Sequence, residues 1–138
     1  MKKIALSILL LASVTAYAQL ESTSKVYLQF SETEKEVNVN GNDALEMLES
    51  YVKNKTSLTI VTEIEASDYI LDLAVYEKNL GNRMGQIAVL KSETKAVVFT
   101  SKWKKGTMNA FYGYSGTRHA IGRVFNGPFL KEFPSIIK

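Results

Sequence analysis

The sequence predicts an α+β fold, with a single antiparallel or mixed β-sheet of about four to five strands and two helices packed on one face. The expected element order is β-α-β-β-β-α. Three observations support this fold: an alternating apolar segment at Lys25–Phe30, a helix-periodic segment after Gly41, and a series of alternating segments between residues 69 and 104. Helical spacing of apolar residues returns in the C-terminal part of the chain.

The first strand and the first helix are predicted from two different periodicities. Within Lys25–Phe30, Val26, Leu28 and Phe30 alternate with polar neighbours, which is typical of a half-buried strand. Asp43 and Glu46 then have the spacing of a capping box, which predicts a helix that starts there and ends near Asn54. The expected buried stripe of this helix consists of Leu45, Leu48 and Val52.

The middle of the chain predicts a short strand at 57–62 followed by a three-stranded antiparallel meander. The strands of the meander are expected at residues 69–77, 86–92 and 96–104. A polar loop at 78–85 connects the first two, and a tight turn at 92–95 connects the last two. In the last strand the alternation places Val97, Phe99 and Trp103 on one face and Val98 and Thr100 on the other.

The C-terminal region predicts a second helix, and the sequence leaves two alternatives for the residue at which it begins. Ala120, Ile121, Val124 and Phe125 have helical spacing, and Gly127 with Pro128 is expected to end the helix. The helix either begins near Met108 or follows a glycine-containing turn, with Thr117 as its cap. In the first case Phe111, Tyr112 and Tyr114 belong to the core, and in the second they form a recognition surface. The residues expected to pack back on the domain after the helix are Phe129, Phe133, Ile136 and Ile137.

The N-terminus has the organisation of a secretory signal peptide. Lys2 and Lys3 precede the apolar segment 4–14, and small residues before the Ala18–Gln19 bond fit a signal-peptidase site. We therefore expect cleavage of residues 1–18 and a single domain at 19–138. A segment of eleven residues is too short to span a bilayer, which requires about 20 apolar residues. A Gram-negative periplasm or the cell exterior is the expected location, with eukaryotic secretion as the alternative.

The sequence contains no cysteine, which excludes a lipidated N-terminal cysteine, disulfides and thiolate metal sites.

The net charge of +3 falls to +1 once Lys2 and Lys3 are removed, so overall basicity does not indicate a partner. The distribution of charge along the chain is more informative than the net charge. Residues 21–77 hold 12 acidic and 4 basic side chains, whereas residues 78–138 hold 2 acidic and 11 basic ones. Either the fold interleaves the two halves and neutralises them, or the molecule is polarised and docks an anionic partner.

The run Ala66-Ser67-Asp68-Tyr69-Ile70-Leu71, together with the order of elements, resembles a family of small bacterial envelope domains. These modules occur in the TolB N-terminal domain and in CsgG-type outer-membrane proteins. Ser67 departs from the family's Ala-Asp-Tyr-Val-Leu-like strand, and Ser92 and Lys95 replace the usual Asp and Gly of a later turn. The resemblance implies a non-catalytic, protein-contacting role in the envelope and supplies no functional residues.

The catalytic patterns in the sequence are incomplete. The segment 113–119 approaches a Gly-x-Ser-x-Gly nucleophile motif at Ser115, but Thr117 replaces the last glycine. His119 is too near in sequence to serve as the base that a triad delivers from a separate loop. Asp72 is the one acid inside a strongly apolar run, and it is a candidate for hydrolysis or simply a solvent-facing residue. The acidic groups around Glu34 and Glu65 lack calcium-loop spacing, so no metal or other cofactor is expected.

A basic segment supplies the candidate binding residues, which are Lys102, Trp103, Lys104, Lys105, Arg118 and Arg123. Positive charge beside an aromatic ring suits an anionic ligand, and the expected compartment makes nucleic acid an unsuitable one. The predicted function is that of a secreted or periplasmic accessory protein without catalytic activity, which binds an envelope protein or an anionic envelope component. The alternatives are a small-molecule or lipid carrier and, third, an envelope hydrolase.

Overall fold

The computed structural model describes residues 20–33, 39–79 and 81–138. The predicted signal peptide and its cleavage site at Ala18–Gln19 lie outside the described residues, as do Glu34 and Glu36. They therefore stay predictions from the sequence.

A mixed β-sheet forms one layer of the fold. Its strands are β1 (Lys25–Phe30), β2 (Thr59–Val61), β3 (Tyr69–Asn79), β4 (Asn82–Lys91), β5 (Val97–Thr100) and β6 (Lys104–Gly106). The order across the sheet is β2-β1-β3-β4-β5, and β6 pairs with β4 beside β5. β1 is parallel to both β2 and β3, whereas β3, β4 and β5 form an antiparallel meander. The predicted α+β fold with a mixed sheet is confirmed.

Two helices cover one face of this sheet. They are α1 (Gly41–Lys55) and α2 (Gly116–Val124), and α2 continues through a wide π-helical turn (Phe125–Phe129) into a short α3 (Leu130–Glu132). Leu71, Leu73 and Val75 project from β3 into the core between the layers. The helical residues that meet them are Ala44, Leu48 and Val52 from α1, and Ile121, Val124, Phe125 and Phe129 from the C-terminal region. The alternation of side chains in β3 produces this apolar face.

The N-termini of both helices differ from the predicted ones, whereas α1 ends at Lys55, close to the predicted Asn54. Asn40 caps α1, since its side-chain oxygen accepts a hydrogen bond from the amide of Asp43 over 3.1 Å. Ser115, and not Thr117, caps α2, because its hydroxyl accepts from the amide of Arg118 over 3.1 Å. The cap lies three residues before the predicted one in α1 and two residues before it in α2, where the backbone is still extended.

The glycine-containing segment before α2 is a loop. Gly113 has φ of 59°, in the left-handed region that favours glycine, and it ends the 3₁₀ turn Ala110–Tyr112. The predicted end of the helix at Gly127–Pro128 is wrong, because the π-helical turn accommodates Pro128 inside the helical path. Phe129, Phe133 and Ile136 are buried as expected, whereas Ile137 is half exposed.

The meander is longer and less regular than predicted. β3 and β4 extend through most of the expected loop and turn tightly around Gly81. The predicted strand 96–104 is interrupted at residues 101–103, which separates β5 from β6. The interruption shifts the alternation by one, so that Phe99 contacts Phe133 on the helix side while Trp103 contacts Tyr76 on the opposite face.

The strands and main helices of the two oppositely charged halves occupy opposite sides of the molecule, although the C-terminal tail returns to pair with Thr56 at the end of α1. The acidic half forms β2, β1, β3 and α1, and the basic half forms β4, β5, β6 and α2. The boundary between them is the β3–β4 pair, where Arg83 and Glu77 form an ion pair at 3.2 Å. The sheet order therefore segregates the two halves, and the fold favours the polarised arrangement over the interleaved one.

Candidate functional site

A basic pocket lies where β6 meets the C-terminal end of α2. Its volume is about 300 Å³, and it is lined by Lys104, Arg123, Gly127, Pro128 and Lys131. None of these five residues, all of which the structure describes, carries a carboxylate. Three cations therefore face a small concave space without a neutralising side chain in its wall.

The register of β6 decides which lysine reaches this pocket. Lys104 lies opposite Gly85 and Lys105 opposite Met84. Successive strand residues point to opposite faces, so Lys104 projects to the face that carries the helices and Lys105 to the other one. The backbone of Lys105 still contributes, because its carbonyl oxygen accepts a hydrogen bond of 2.7 Å from an Nη atom of Arg123. This contact orients the guanidinium beside Lys104.

Close packing of α2 on the sheet brings Arg123 within reach of β6. A Cβ atom at Gly106 would overlap the backbone of α2 at Ala120 and Gly116. Helix and strand are therefore in backbone contact, which a larger residue at Gly106 would prevent. Since α2 crosses β6 in this way, the last turn of the helix ends next to Lys104.

Lys131 completes the pocket and was missed by sequence reasoning. The prediction that the helix ends at Gly127–Pro128 separated Lys131 from the other cations. In the structure the wide turn Phe125–Phe129 carries the chain over Pro128 and continues into α3, which places Lys131 beside Arg123. Lys131 follows Arg123 by eight residues, which is close to two helical turns. This spacing could have indicated that the two cations share one face of a continued helix.

The other candidate binding residues lie elsewhere. Lys102 is exposed at the interruption between β5 and β6. The Trp103 ring contacts Tyr76 edge-on at a centroid distance of 5.1 Å on the face opposite the helices. Arg118 lies at the start of α2 and lines a different groove. The structure thus brings Lys104 and Arg123 together beside the backbone carbonyl of Lys105, and it separates them from Lys102, Trp103 and Arg118.

The groove that Arg118 lines runs between α1 and the start of α2 and has a volume of about 700 Å³. Its charged residues are Asp43, Glu46, Lys55 and Arg118, two of each sign. Burial in its wall raises the pKa of the Tyr51 phenol; the neighbouring Tyr112 adds to this effect and Arg118 opposes it. A groove with balanced charges and a neutral phenol offers less attraction to an anion than the basic pocket does.

The residues considered for catalysis make hydrogen bonds with structural roles. The Ser115 hydroxyl caps α2, and Nδ1 of His119 accepts from the backbone amide of Thr107 over 2.9 Å. Oδ1 of Asp72 accepts from the Ser31 hydroxyl over 2.6 Å on the open face of the sheet. Within the described ranges, no group of three or more His, Asp or Glu side chains is arranged to hold a metal ion.

The space between the sheet and the C-terminal helices, where a carrier would hold its ligand, is filled by aromatic side chains. The Phe125 and Phe129 rings lie 5.0 Å apart and the Phe129 and Phe133 rings 5.5 Å apart, and all three residues are buried. In the part of the chain that the structure covers, no helix has the length and apolar character needed to cross a bilayer.

No protein-family model matches the sequence, and no curated protein matches it. Solved structures with a similar fold include a PelC dodecamer from Paraburkholderia phytofirmans, with a TM-score of 0.51 and 17% identity over 78% of this chain and 89% of that one. A point variant of the same PelC dodecamer gives a TM-score of 0.53 and 15% identity over the same shares. The LpoB C-terminal domain from Salmonella enterica gives 0.49 and 11% identity over 68% of this chain and 90% of that one.

The resemblance to TolB and CsgG-type domains stays a prediction from the sequence. At 15% and 17% identity, the PelC comparisons show a shared fold and carry no functional residue to this chain.

Proposed function

We propose that this chain is a non-catalytic binding domain of the bacterial cell envelope, periplasmic or secreted, that recognises an anionic group of an envelope component. The observation that carries the proposal is the basic pocket, in which Lys104, Arg123 and Lys131 converge without a carboxylate. The predicted signal peptide supports the compartment. The segregation of charge supports a negatively charged ligand, since the pocket lies on the basic side of the molecule.

The pocket suits a phosphate or carboxylate group on a small substituent. A volume of about 300 Å³ corresponds to roughly ten water molecules, which is enough for a headgroup but not for a peptide or an acyl chain. The Arg123 guanidinium offers a planar set of donors that matches two oxygens of one anion, and the lysines add point charges. Because the wall contains no acid, an anion entering the pocket does not displace an existing ion pair.

The proposal is tested with glycerol 3-phosphate as a soluble probe, titrated into the ¹⁵N-labelled protein and followed by NMR. The protein is purified after export, and its N-terminus is identified by mass spectrometry. We expect saturable shifts at the amides of Lys104, Arg123 and Lys131. Lys104→Gln and Lys131→Gln should each raise the Kd about tenfold, because each removes a cation that faces the bound anion.

Lys102→Gln is the matched control, since it removes the same charge from an exposed position outside the pocket, and we expect less than about a twofold effect. Equal losses in all three variants would show non-specific attraction and contradict the proposal. So would the absence of saturable shifts. The non-catalytic part of the proposal requires that glycerol 3-phosphate be recovered unchanged after prolonged incubation, and its hydrolysis would contradict it.

A further inference from the structure

The loop between β6 and α2, residues 107–115, presents apolar side chains to solvent. Phe111 is 96% exposed, Tyr114 69% and Met108 59%. Large apolar side chains that are exposed together on one short loop, rather than singly, are typical of an interaction surface.

This loop has a defined internal structure that holds the side chains outward. The Asn109 carbonyl accepts from the amide of Tyr114 over 2.8 Å, and the Asn109 side-chain amide donates to the Thr107 carbonyl over 3.2 Å. His119 fixes the base of the loop, since it accepts from the Thr107 amide and stacks on the Tyr112 ring at a centroid distance of 4.5 Å. Tyr112 therefore faces inward, and the exposed side chains project from an ordered turn.

The loop belongs to the basic half of the chain, which forms β4, β5, β6 and α2. Residues 94–131 contain seven cations and no acid, and the loop lies near the middle of this segment. An Nη atom of Arg118 lies 3.8 Å from the position that a Cβ of Gly113 would take, so one cation is next to the loop itself. The acids nearest to Arg118 along the adjoining groove are Asp43 and Glu46, which Arg118 and Lys55 balance in number.

We propose that this loop docks on the surface of an anionic lipid bilayer. Phe111 and Met108 enter the boundary between headgroups and acyl chains, Tyr114 remains at the level of the headgroups, and the exposed cations that flank the loop, Lys105 and Arg118, face the lipid phosphates. Charge complementarity and the protrusion of Phe111 together favour a lipid surface as the occupant. A few apolar side chains alone give weak membrane binding, and added positive charge strengthens it.

The docking surface is distinct from the basic pocket. The two lie at opposite ends of α2, which is nine residues long and therefore spans about 13 Å. The inference thus extends the proposed function by a second contact with a different ligand.

Co-sedimentation with vesicles tests the inference, again with exported protein, because the apolar segment 4–14 would bind lipid by itself. We expect partition into vesicles of 30% phosphatidylglycerol in phosphatidylcholine and at least about fivefold weaker partition into pure phosphatidylcholine. Phe111→Ser should lower partition into the anionic vesicles about tenfold. Val97→Ser is the matched control, since Val97 is 60% exposed on β5 outside the loop, and it should have less than about a twofold effect.

Equal partition of Phe111→Ser and wild-type protein would overturn the inference. Light scattering after size exclusion tests whether a second copy of the chain covers the loop instead. A wild-type dimer that Phe111→Ser converts to a monomer would also overturn the inference. Phe111→Ser should leave glycerol 3-phosphate binding unchanged, whereas Lys104→Gln should weaken it. The failure of the lipid contact and the failure of the basic pocket are therefore distinguishable in the same set of variants.

Discussion

Single glycines set the distance between α2 and the elements that it packs against. At Gly106 the place of a side chain is taken by the α2 backbone, and at Gly116 it is taken by the carbonyl oxygen of Gly81. At Gly122 it is taken by the phenol oxygen of Tyr51 on α1. The sequence left open whether the second helix begins near Met108 or follows a glycine-containing turn, and the structure has the turn. Gly113 belongs to the loop before the helix, and the other glycines allow the close contact.

Gly106→Ala should destabilise the protein by about 3 kcal/mol, because the added methyl group meets backbone atoms of α2 that cannot move independently of the helix. Urea denaturation of the purified variant measures the change in the free energy of unfolding. Gly127→Ala is the matched control: nothing lies within 4 Å of its added Cβ, so the change should stay below about 1 kcal/mol. Similar losses in both variants would show that the contact at Gly106 is not the cause.

At the scale of an element, the interruption between β5 and β6 is what places the basic residues. Ser101 satisfies both backbone groups of Ile87 on β4: its amide donates to the Ile87 carbonyl over 2.9 Å, and its hydroxyl accepts from the Ile87 amide over 3.0 Å. One side chain thus replaces a missing rung of the ladder. The extra residue changes the alternation, so that Lys104 faces the helices and Trp103 faces away from them.

Ser101→Ala should cost about 1–3 kcal/mol, because it removes the hydroxyl and leaves the buried Ile87 amide without its acceptor. Chemical denaturation gives the energy, and hydrogen exchange of the Ile87 amide should become faster. Thr100→Ala changes the exposed neighbouring residue, so it should cost less than about 1 kcal/mol and leave Ile87 exchange unaltered. Unchanged exchange in Ser101→Ala would exclude this role of the hydroxyl.

The regular elements could be predicted from the sequence, and the irregular ones could not. Alternation from Tyr69 onward identifies the meander, because every second side chain of β3 is buried under the helices. The interruption at Ser101 depends on a side chain replacing a backbone acceptor in another strand, which no local periodicity reveals. The same limit applies to the candidate site. Its Lys104 and Arg123 were predicted, whereas Lys131 depends on a turn that accommodates Pro128.

At the scale of the whole molecule, the sheet order separates opposite charges that nearly cancel. The chain from Gln19 has 15 basic and 14 acidic residues, which gives a net charge of +1. Because consecutive strands β3 and β4 are neighbours and no later strand of the sheet returns to the β1 side, the acidic and basic strands stay on opposite sides of their boundary. Only the C-terminal tail crosses it within the described residues, and Ile137 pairs there with Thr56. The near-zero net charge therefore coexists with a basic side that contains both proposed binding surfaces, and the field of that side is stronger than the net charge suggests.

Cation-exchange chromatography of two charge-matched triple variants tests this separation. Lys104→Gln/Arg123→Gln/Lys131→Gln and Lys25→Gln/Lys53→Gln/Lys55→Gln each remove three positive charges, so both have a net charge of −2. The first should elute at a clearly lower salt concentration, since its changes fall on the basic side that faces the resin. The second should stay closer to the wild-type protein, because its changes lie among acids that the resin repels. Equal elution of the two variants would mean that retention follows net charge alone and that the basic side does not act as a unit.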